Sequence, residues 1–402
     1  LGLYGFRALP LVGREAERDE LWRVLSEVVE GPEPRALAVF LTGPAGVGKT
    51  TLAEWLPRRA IEVVGAHTPR VRMREDGRPG VGLLFGAREW LGCHRERTLD
   101  EVREAIRRRV PHLVGRVGPE EQEALTRANA LEWPDAPPPP AERLRVAISF
   151  VAKASLQRPV VVVLDDLQWD ELTVMFLEGV LRTPGRVLVV ATISIDEGIE
   201  LPERLQALWR HDAVHELPIG ALAPAEHRRL VRELLGLSDQ LARRVEERTA
   251  GNPMFAVQLV GDWITRGLLS VEKGALSLPP DEEVELPDDL HVLWLRRVER
   301  LTDGSAAARL ALELAAVLGP EVPIAGWRAA AISLGVPVED DFVARVLRSH
   351  LVVASADGRE LRFAHGMLRE SLLRKAREGG RLPALRSAAA DALRAAHAAG
   401  HE

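Results

Sequence analysis

Cysteine is almost missing from this sequence. Cys93 stands alone among 402 residues, so no disulfide can form within the chain, and the scarcity fits a reducing cytoplasm. Lysine is nearly as rare: only Lys49, Lys153, Lys273 and Lys375 occur, and the remaining basic residues are arginine. A lysine inside a glycine-rich loop therefore stands out. No apolar run approaches the roughly 20 residues that a membrane-spanning helix needs, and the N-terminus lacks the layout of a secretory signal. A large excess of one charge is missing too. The formal balance of −6 gives no global pull toward nucleic acid or anionic membrane, although a local basic face could still bind DNA. The chain opens on Leu1 rather than methionine, which leads us to expect a piece of a longer protein.

What is present is ordinary globular material, 46% hydrophobic and 28% charged, in a chain long enough for two or three domains. Residues 14–30 carry Leu21, Val24, Leu25 and Val28 at helical spacing. Ala36 to Leu41 is a short apolar run suited to a buried strand, and a helix is expected from Lys49 to Val64. Arg70 to Arg74 alternates enough for another strand. Pro137 to Pro140 reads as a stiff exposed linker. Beyond it the pattern predicts a helix (Ala141 to Leu156), a strand (Val160 to Leu164), a helix (Glu171 to Leu181) and strands at Val187 to Ala191 and Ala213 to Leu217. Alternating strands and helices imply a parallel sheet covered on both faces. After Pro224 the chain is mostly helical, with a loop or hairpin over 268–288. A second hairpin is expected from Leu351 to Phe363, turning at Ala356-Asp357-Gly358, and two helices close the chain. Helices followed by a hairpin suggest a winged helix.

The segment Gly43-Pro44-Ala45-Gly46-Val47-Gly48-Lys49-Thr50 fits G-x-x-x-x-G-K-[ST] without a mismatch, between a strand and a helix. Glycines let backbone N–H groups converge on phosphates, and the helix N-terminus favours anions. Lys49 would reach the β- and γ-phosphates and the Thr50 hydroxyl would ligate Mg²⁺, with Thr51 beside it. An acidic partner is required at the end of a neighbouring strand, and Val160 to Leu164 running into Asp165-Asp166 supplies it. Asp165 would hold the metal, while Asp166 could orient or deprotonate the attacking water. This is a P-loop site for ATP or ADP with Mg²⁺.

Leu11-Val12-Gly13-Arg14-Glu15, Asp165-Asp166-Leu167-Gln168-Trp169-Asp170 and Gly251-Asn252-Pro253-Met254-Phe255, with Phe363-Ala364-His365 further on, resemble the STAND ATPases. These are AAA-related signal-transduction ATPases, and the likeness is nearest to the ATPase core of large LuxR-type bacterial regulators and of kinases or cyclases fused to such a core. The resemblance implies an AAA-like parallel-sheet domain over 1–220, a helical lid over 221–288, a winged helix over 289–380 and the start of a further helical region over 381–402. It also implies that Val12 and Gly13 lie beside the adenine with Arg14 nearby, that Pro253 packs on the base or ribose, and that His365 senses the β-phosphate.

Two departures from that pattern bear on activity. Thr192-Ile193-Ser194-Ile195 stands where an arginine or other polar sensor is common, and Asp166 is shorter than the glutamate of vigorous AAA motors. Both argue for slow hydrolysis. The reading is a nucleotide-controlled switch that self-associates when ATP-bound, answers a protein or ligand signal and drives an output outside this chain. The alternatives are an AAA motor, for which Arg210 is a candidate trans-acting finger, and a DNA-binding regulator. The latter would use Arg369, Arg374, Lys375, Arg377 and Arg381, a cluster interrupted by Glu370 and Glu378.

Overall fold

The computed structural model describes residues 10–72, 81–133, 136–195, 201–272, 274–278, 289–319, 321–349, 351–355, 357–364 and 366–399. They divide into two compact units: residues 10–230 with Gly251–Met254, and Val231–Ala250 with residues 255–399.

The first unit opens with helix α1 (Glu15–Glu30), which buries Leu21, Val24, Leu25 and Val28 along one stripe. Strand β1 (Ala36–Gly43) leads through the glycine loop into α2 (Lys49–Val64). Next come β2 (Arg70–Arg72), the helices α3 (Val81–Trp90), α4 (Leu99–Val114), α5 (Pro119–Asn129) and α6 (Pro140–Ser155), and then β3 (Val160–Asp165). The unit continues with α7 (Glu171–Leu181), β4 (Val187–Ser194), α8 (Glu203–Leu208), β5 (Val214–Pro218) and α9 (Pro224–Arg229). The five strands form one parallel sheet in the order β2-β3-β4-β1-β5.

Successive residues of a strand point to opposite faces, and here both faces are covered. Ala38, Phe40, Val162 and Leu164 pack with Val102, Leu144 and Phe176 from the helices between β2 and β4. Leu37, Val39, Leu41, Val161 and Val163 pack with Leu21 and Leu25 of α1 and Leu52 and Leu56 of α2. Double coverage explains why these strands are unbroken apolar runs rather than alternating ones. Arg186, just before β4, donates to the carbonyls of Val28, Val29 and Gly31 and so closes the C-terminal end of α1.

Some expectations shift. The prolines at 137–140 are not a free linker: Pro138 is buried, and Pro140 is the first residue of α6, where its fixed φ suits the helix start. Strand β4 runs past Ala191 to Ser194, because Thr192, Ile193 and Ser194 keep pairing with Leu41, Thr42 and Gly43. Of the strand expected from Arg70 to Arg74, Met73 and Arg74 lie outside the described residues.

The second unit contains α10 (Asp239–Thr249), most of α11 (Pro253–Thr265), β6 (Ser270–Glu272), β7 (Ala275–Ser277), α12 (Leu290–Thr302) and α13 (Ala306–Leu318). After β8 (Glu321–Pro323) follow α14 (Ile324–Ser333), α15 (Asp340–Arg348), β9 (Val352–Ala354), β10 (Glu360–Phe363), α16 (Gly366–Glu378) and α17 (Leu382–Ala399). The expected hairpin is β9–β10, its turn residue Ala356 being outside the described residues; β8 adds a third antiparallel strand on the far side of β10. Trp263, Trp294 and Trp327 are fully buried, and Trp327 satisfies its indole N–H on the Ala311 carbonyl at 2.7 Å. Among the described residues no helix is long and apolar enough to cross a membrane.

Candidate nucleotide-binding site

The glycine loop leaves β1 at Gly43, whose φ of 149° would place a Cβ 2.2 Å from the Ile219 carbonyl oxygen. Only glycine fits. Gly46, at φ 82°, is equally closed to side chains, since a Cβ there would meet the Asn252 amide at 2.9 Å. Helix α2 begins at Lys49, with Gly48 as its cap. The Lys49 ammonium is buried and donates to the carbonyls of Gly43 and Pro44, both at 2.8 Å, folding back over the loop that carries it.

The acidic strand delivers Asp165 to the same place. Thr50 Oγ1 donates to Asp165 Oδ1 at 2.8 Å, bringing the two expected metal ligands into contact across 115 positions of sequence. Thr192 on the next strand also donates to Asp165 Oδ1 at 2.8 Å, and its hydroxyl accepts from the Asp166 N–H at 2.8 Å. Arg72, ending β2 on the other side, lies 3.3 Å from Asp165 Oδ2. The sheet order is what places β2 and β4 on either side of β3. Thr192, in the segment that stands where a polar sensor is common, therefore bonds to both members of the acid pair.

Asp166 takes a left-handed backbone, φ 61° and ψ 49°, which asparagine and aspartate tolerate better than most residues. Burial and the neighbouring Asp165 carboxylate push its carboxyl up to about 6, against pulls from Lys49, Gln168 and Arg72. Gln168 is buried with its amide 3.5 Å from Asp166 Oδ1, and it accepts from the Ser194 N–H at 3.3 Å. A carboxylate of that basicity can take a proton from water near neutral pH. What it lacks is the extra methylene of a glutamate.

Two further segments border the loop. Arg14 is buried in a left-handed conformation, φ 64°, and its guanidinium donates to the carbonyls of Val47 (3.1 Å) and Gly220 (2.5 Å). Its backbone N–H donates to Glu226, which also accepts from the Ala223 N–H at the start of α9. Val12 and Gly13 are buried beside it. From the other direction, Asn252 Nδ2 donates to the Ala45 carbonyl at 3.2 Å and the Met254 N–H to that of Gly46 at 3.2 Å. The Pro253 ring lies 4.0 Å from where a Cβ would stand on Gly48. The first turn of α11 thus rests on the phosphate loop.

Residues 10–190 match the family model of the AAA ATPase domain. This segment is an AAA-related P-loop ATPase domain. The order of the five strands, the loop between β1 and α2 and the acid at the end of β3 all lie in or against it. No curated relative matches the chain in sequence. Among solved structures, the chain is similar to the ORC2 protein of Aeropyrum pernix, in ADPNP–ADP complexes (15% identity, 97% of this chain and 96% of that one, TM-score 0.37). It is also similar to CDC6P of Pyrobaculum aerophilum (12%, 94% and 98%, TM-score 0.42) and to Drosophila ORC bound to DNA (14%, 91% and 88%, TM-score 0.35). Similarity at that level says nothing of what this chain binds.

The donors present in the ATPase domain fit Mg-nucleotide. Mg²⁺ prefers hard oxygen ligands and usually takes only one or two from protein, the rest being phosphate and water. The Thr50 hydroxyl and Asp165 carboxylate, 2.8 Å apart, provide such a pair. Among the described residues no group of three or more His, Cys, Asp or Glu could build a protein-only metal cage. Bound nucleotide would supply the phosphoanhydride; Lys49 would hold its phosphates and Thr50 and Asp165 its metal. Of the other expected residues, Thr51 is exposed and Arg210 is exposed in the turn after α8. His365 lies outside the described residues. Thr192, Gln168, Arg72 and Asn252 complete the arrangement, and their tasks become visible only through contacts made across the sheet.

Proposed function

We propose that the ATPase domain is the nucleotide-reading part of a switch that binds ATP or ADP with Mg²⁺, hydrolyses ATP slowly and drives an output outside this chain. The observation that carries this reading is the seating of Asn252 and Met254 on the carbonyls of Ala45 and Gly46. Pro253 and Met254 begin α11, so a change in the phosphate loop is felt at the first turn of a helix that continues into the other unit. A nucleotide that favours one seating over another biases a two-state element by its differential affinity. The slow turnover in this reading rests on the short side chain of Asp166, which lacks the extra methylene of a glutamate.

On this reading Val12, Gly13 and Arg14 border the base, Pro253 meets the base or ribose, and the sheet of β8, β10 and β9 with its helices is a winged helix that serves as an internal switch part. Self-association accompanies the ATP-bound state, and the signal is a protein or ligand. Three arginines of the cluster that a DNA reader would use have partners within the protein. Arg369 is buried and donates to the Ala316 carbonyl, Arg381 pairs with buried Glu313 at 2.7 Å, and Arg374 pairs with Glu378.

The test is to denature the purified protein and identify the nucleotide it releases, with Lys49→Ala as control. Near-stoichiometric ADP from the parent, none from the variant and slow ATP turnover support the switch. Empty protein that hydrolyses ATP briskly would point to a motor, and empty protein without affinity for ATP would leave no nucleotide role.

A further inference from the structure

An apolar cavity lies within the first unit, away from the phosphate loop. It is bordered by the helices between β2 and β3 and by α7, and is partly open to solvent. Its floor is the sheet, through Val71 of β2 and Val162 of β3, and Leu84, Leu125, Phe150 and Phe176 stand among its walls. Its volume is about 120 Å³, on the order of ten times the space that one water needs.

Two polar side chains enter the lining, Asn129 and Arg143, and among the described lining residues Arg143 alone is charged. Its guanidinium lies 4.8 Å from the centre of the Trp133 ring, and its Nε is buried without a hydrogen-bond partner. No carboxylate pairs with it among the described residues, whereas Arg103 on α4 is paired with Glu123. Burial holds the Arg143 guanidinium below the usual arginine range. A cation that has shed part of its water without gaining an anion is costly, and an incoming carboxylate would repay that cost. An apolar chamber with one cation is the chemistry of a site for an amphipathic acid.

We propose that this cavity binds a small apolar monocarboxylate, its chain against Val162, Phe150 and Phe176 and its carboxylate on Arg143. The inference stands on the cavity and does not need the switch reading. The occupant would lie over β3, the strand that ends in Asp165.

The test is calorimetric titration of the whole chain with octanoate, whose ten heavy atoms suit the space, and with the uncharged comparator 1-octanol, both in saturating Mg-ADP so that the phosphate loop is not the anion site. We expect one octanoate per chain, bound at least tenfold more tightly than 1-octanol. Arg143→Met should remove that preference while leaving 1-octanol binding in place, and Arg143→Lys should keep it. Ala147 of α6 also lines the cavity, and Ala147→Phe, which fills it, should abolish binding of both. Absence of saturable octanoate binding to the parent protein, equal affinity for the two compounds, or a preference that survives in Arg143→Met would each overturn the proposal.

Discussion

Replacing Asp166 by asparagine should stabilise the protein, and by more at high pH than at low. The side chains have the same shape, and asparagine accepts the left-handed backbone that position 166 adopts. The carboxyl's ordinary value of 3.8 is pushed up to about 6 in the folded protein, chiefly by burial and then by Asp165. Below 3.8 the group is protonated whether the chain is folded or not, and contributes nothing. Between 3.8 and about 6 the folded protein keeps a proton that the unfolded chain has released. Stability therefore falls as pH rises through that window, and above it ionised Asp166 costs the fold roughly 3 kcal/mol. At pH 4.5 the same relation gives only about 1 kcal/mol. Asp166→Asn should thus gain about 2 kcal/mol relative to the parent on going from pH 4.5 to pH 8, or roughly 4–8 °C in melting temperature for a domain of this size. The assay is thermal unfolding of nucleotide-stripped protein at both pH values, following the transition that Mg-ADP shifts upward. A difference between variant and parent that is the same at pH 4.5 and pH 8 would refute the argument, because a hydrogen-bond or packing effect does not titrate in that window.

Three further outcomes are expected. Thr192→Val leaves the Asp166 N–H without its acceptor and Asp165 without one donor; unfolding should show a loss of about 2 kcal/mol, and titration with Mg-ADP a weaker affinity. Asn252→Ala removes the bond to the Ala45 carbonyl, costs about 1 kcal/mol and should change the ratio of ATP to ADP affinity more than it changes either melting transition. Phe40→Ala empties a site that is fully buried in β1 and edge-on to Trp209; a loss of about 3–5 kcal/mol is expected in chemical denaturation of the first unit, with the nucleotide site intact in whatever protein remains folded.

The sheet was legible because its central strands are buried on both faces, so Ala36 to Leu41 and Val160 to Leu164 carry nothing but apolar residues. The loop was legible because its glycines, lysine and threonine fall within the eight residues from Gly43 to Thr50. What stayed hidden depends on which strands become neighbours. Thr192 serves Asp165 and Asp166 only because β4 lies beside β3, and Arg72 faces Asp165 only because β2 lies on the other side. Neither adjacency is marked by local pattern. The short strand β8 had too few residues to show a period, and it exists through its pairing with β10. At 137–140, four prolines in a row looked like a spacer, yet Pro140 is a helix start, a role that one proline fills as well as any. Resemblance to a known family singled out Gly251 to Phe255, but only the structure shows that the Asn252 amide makes the contact with the loop.

Lys49 has a consequence for how quickly this loop can act. By bonding to the carbonyls of Gly43 and Pro44, the ammonium braces the loop from within. The backbone has little left to freeze when a phosphate arrives, so the conformational entropy that capture usually costs has largely been surrendered during folding. Entry then amounts to a swap of oxygen partners around one nitrogen. Association should proceed near the rate of unhindered encounter, and differences in affinity between nucleotides should be written in their dwell times.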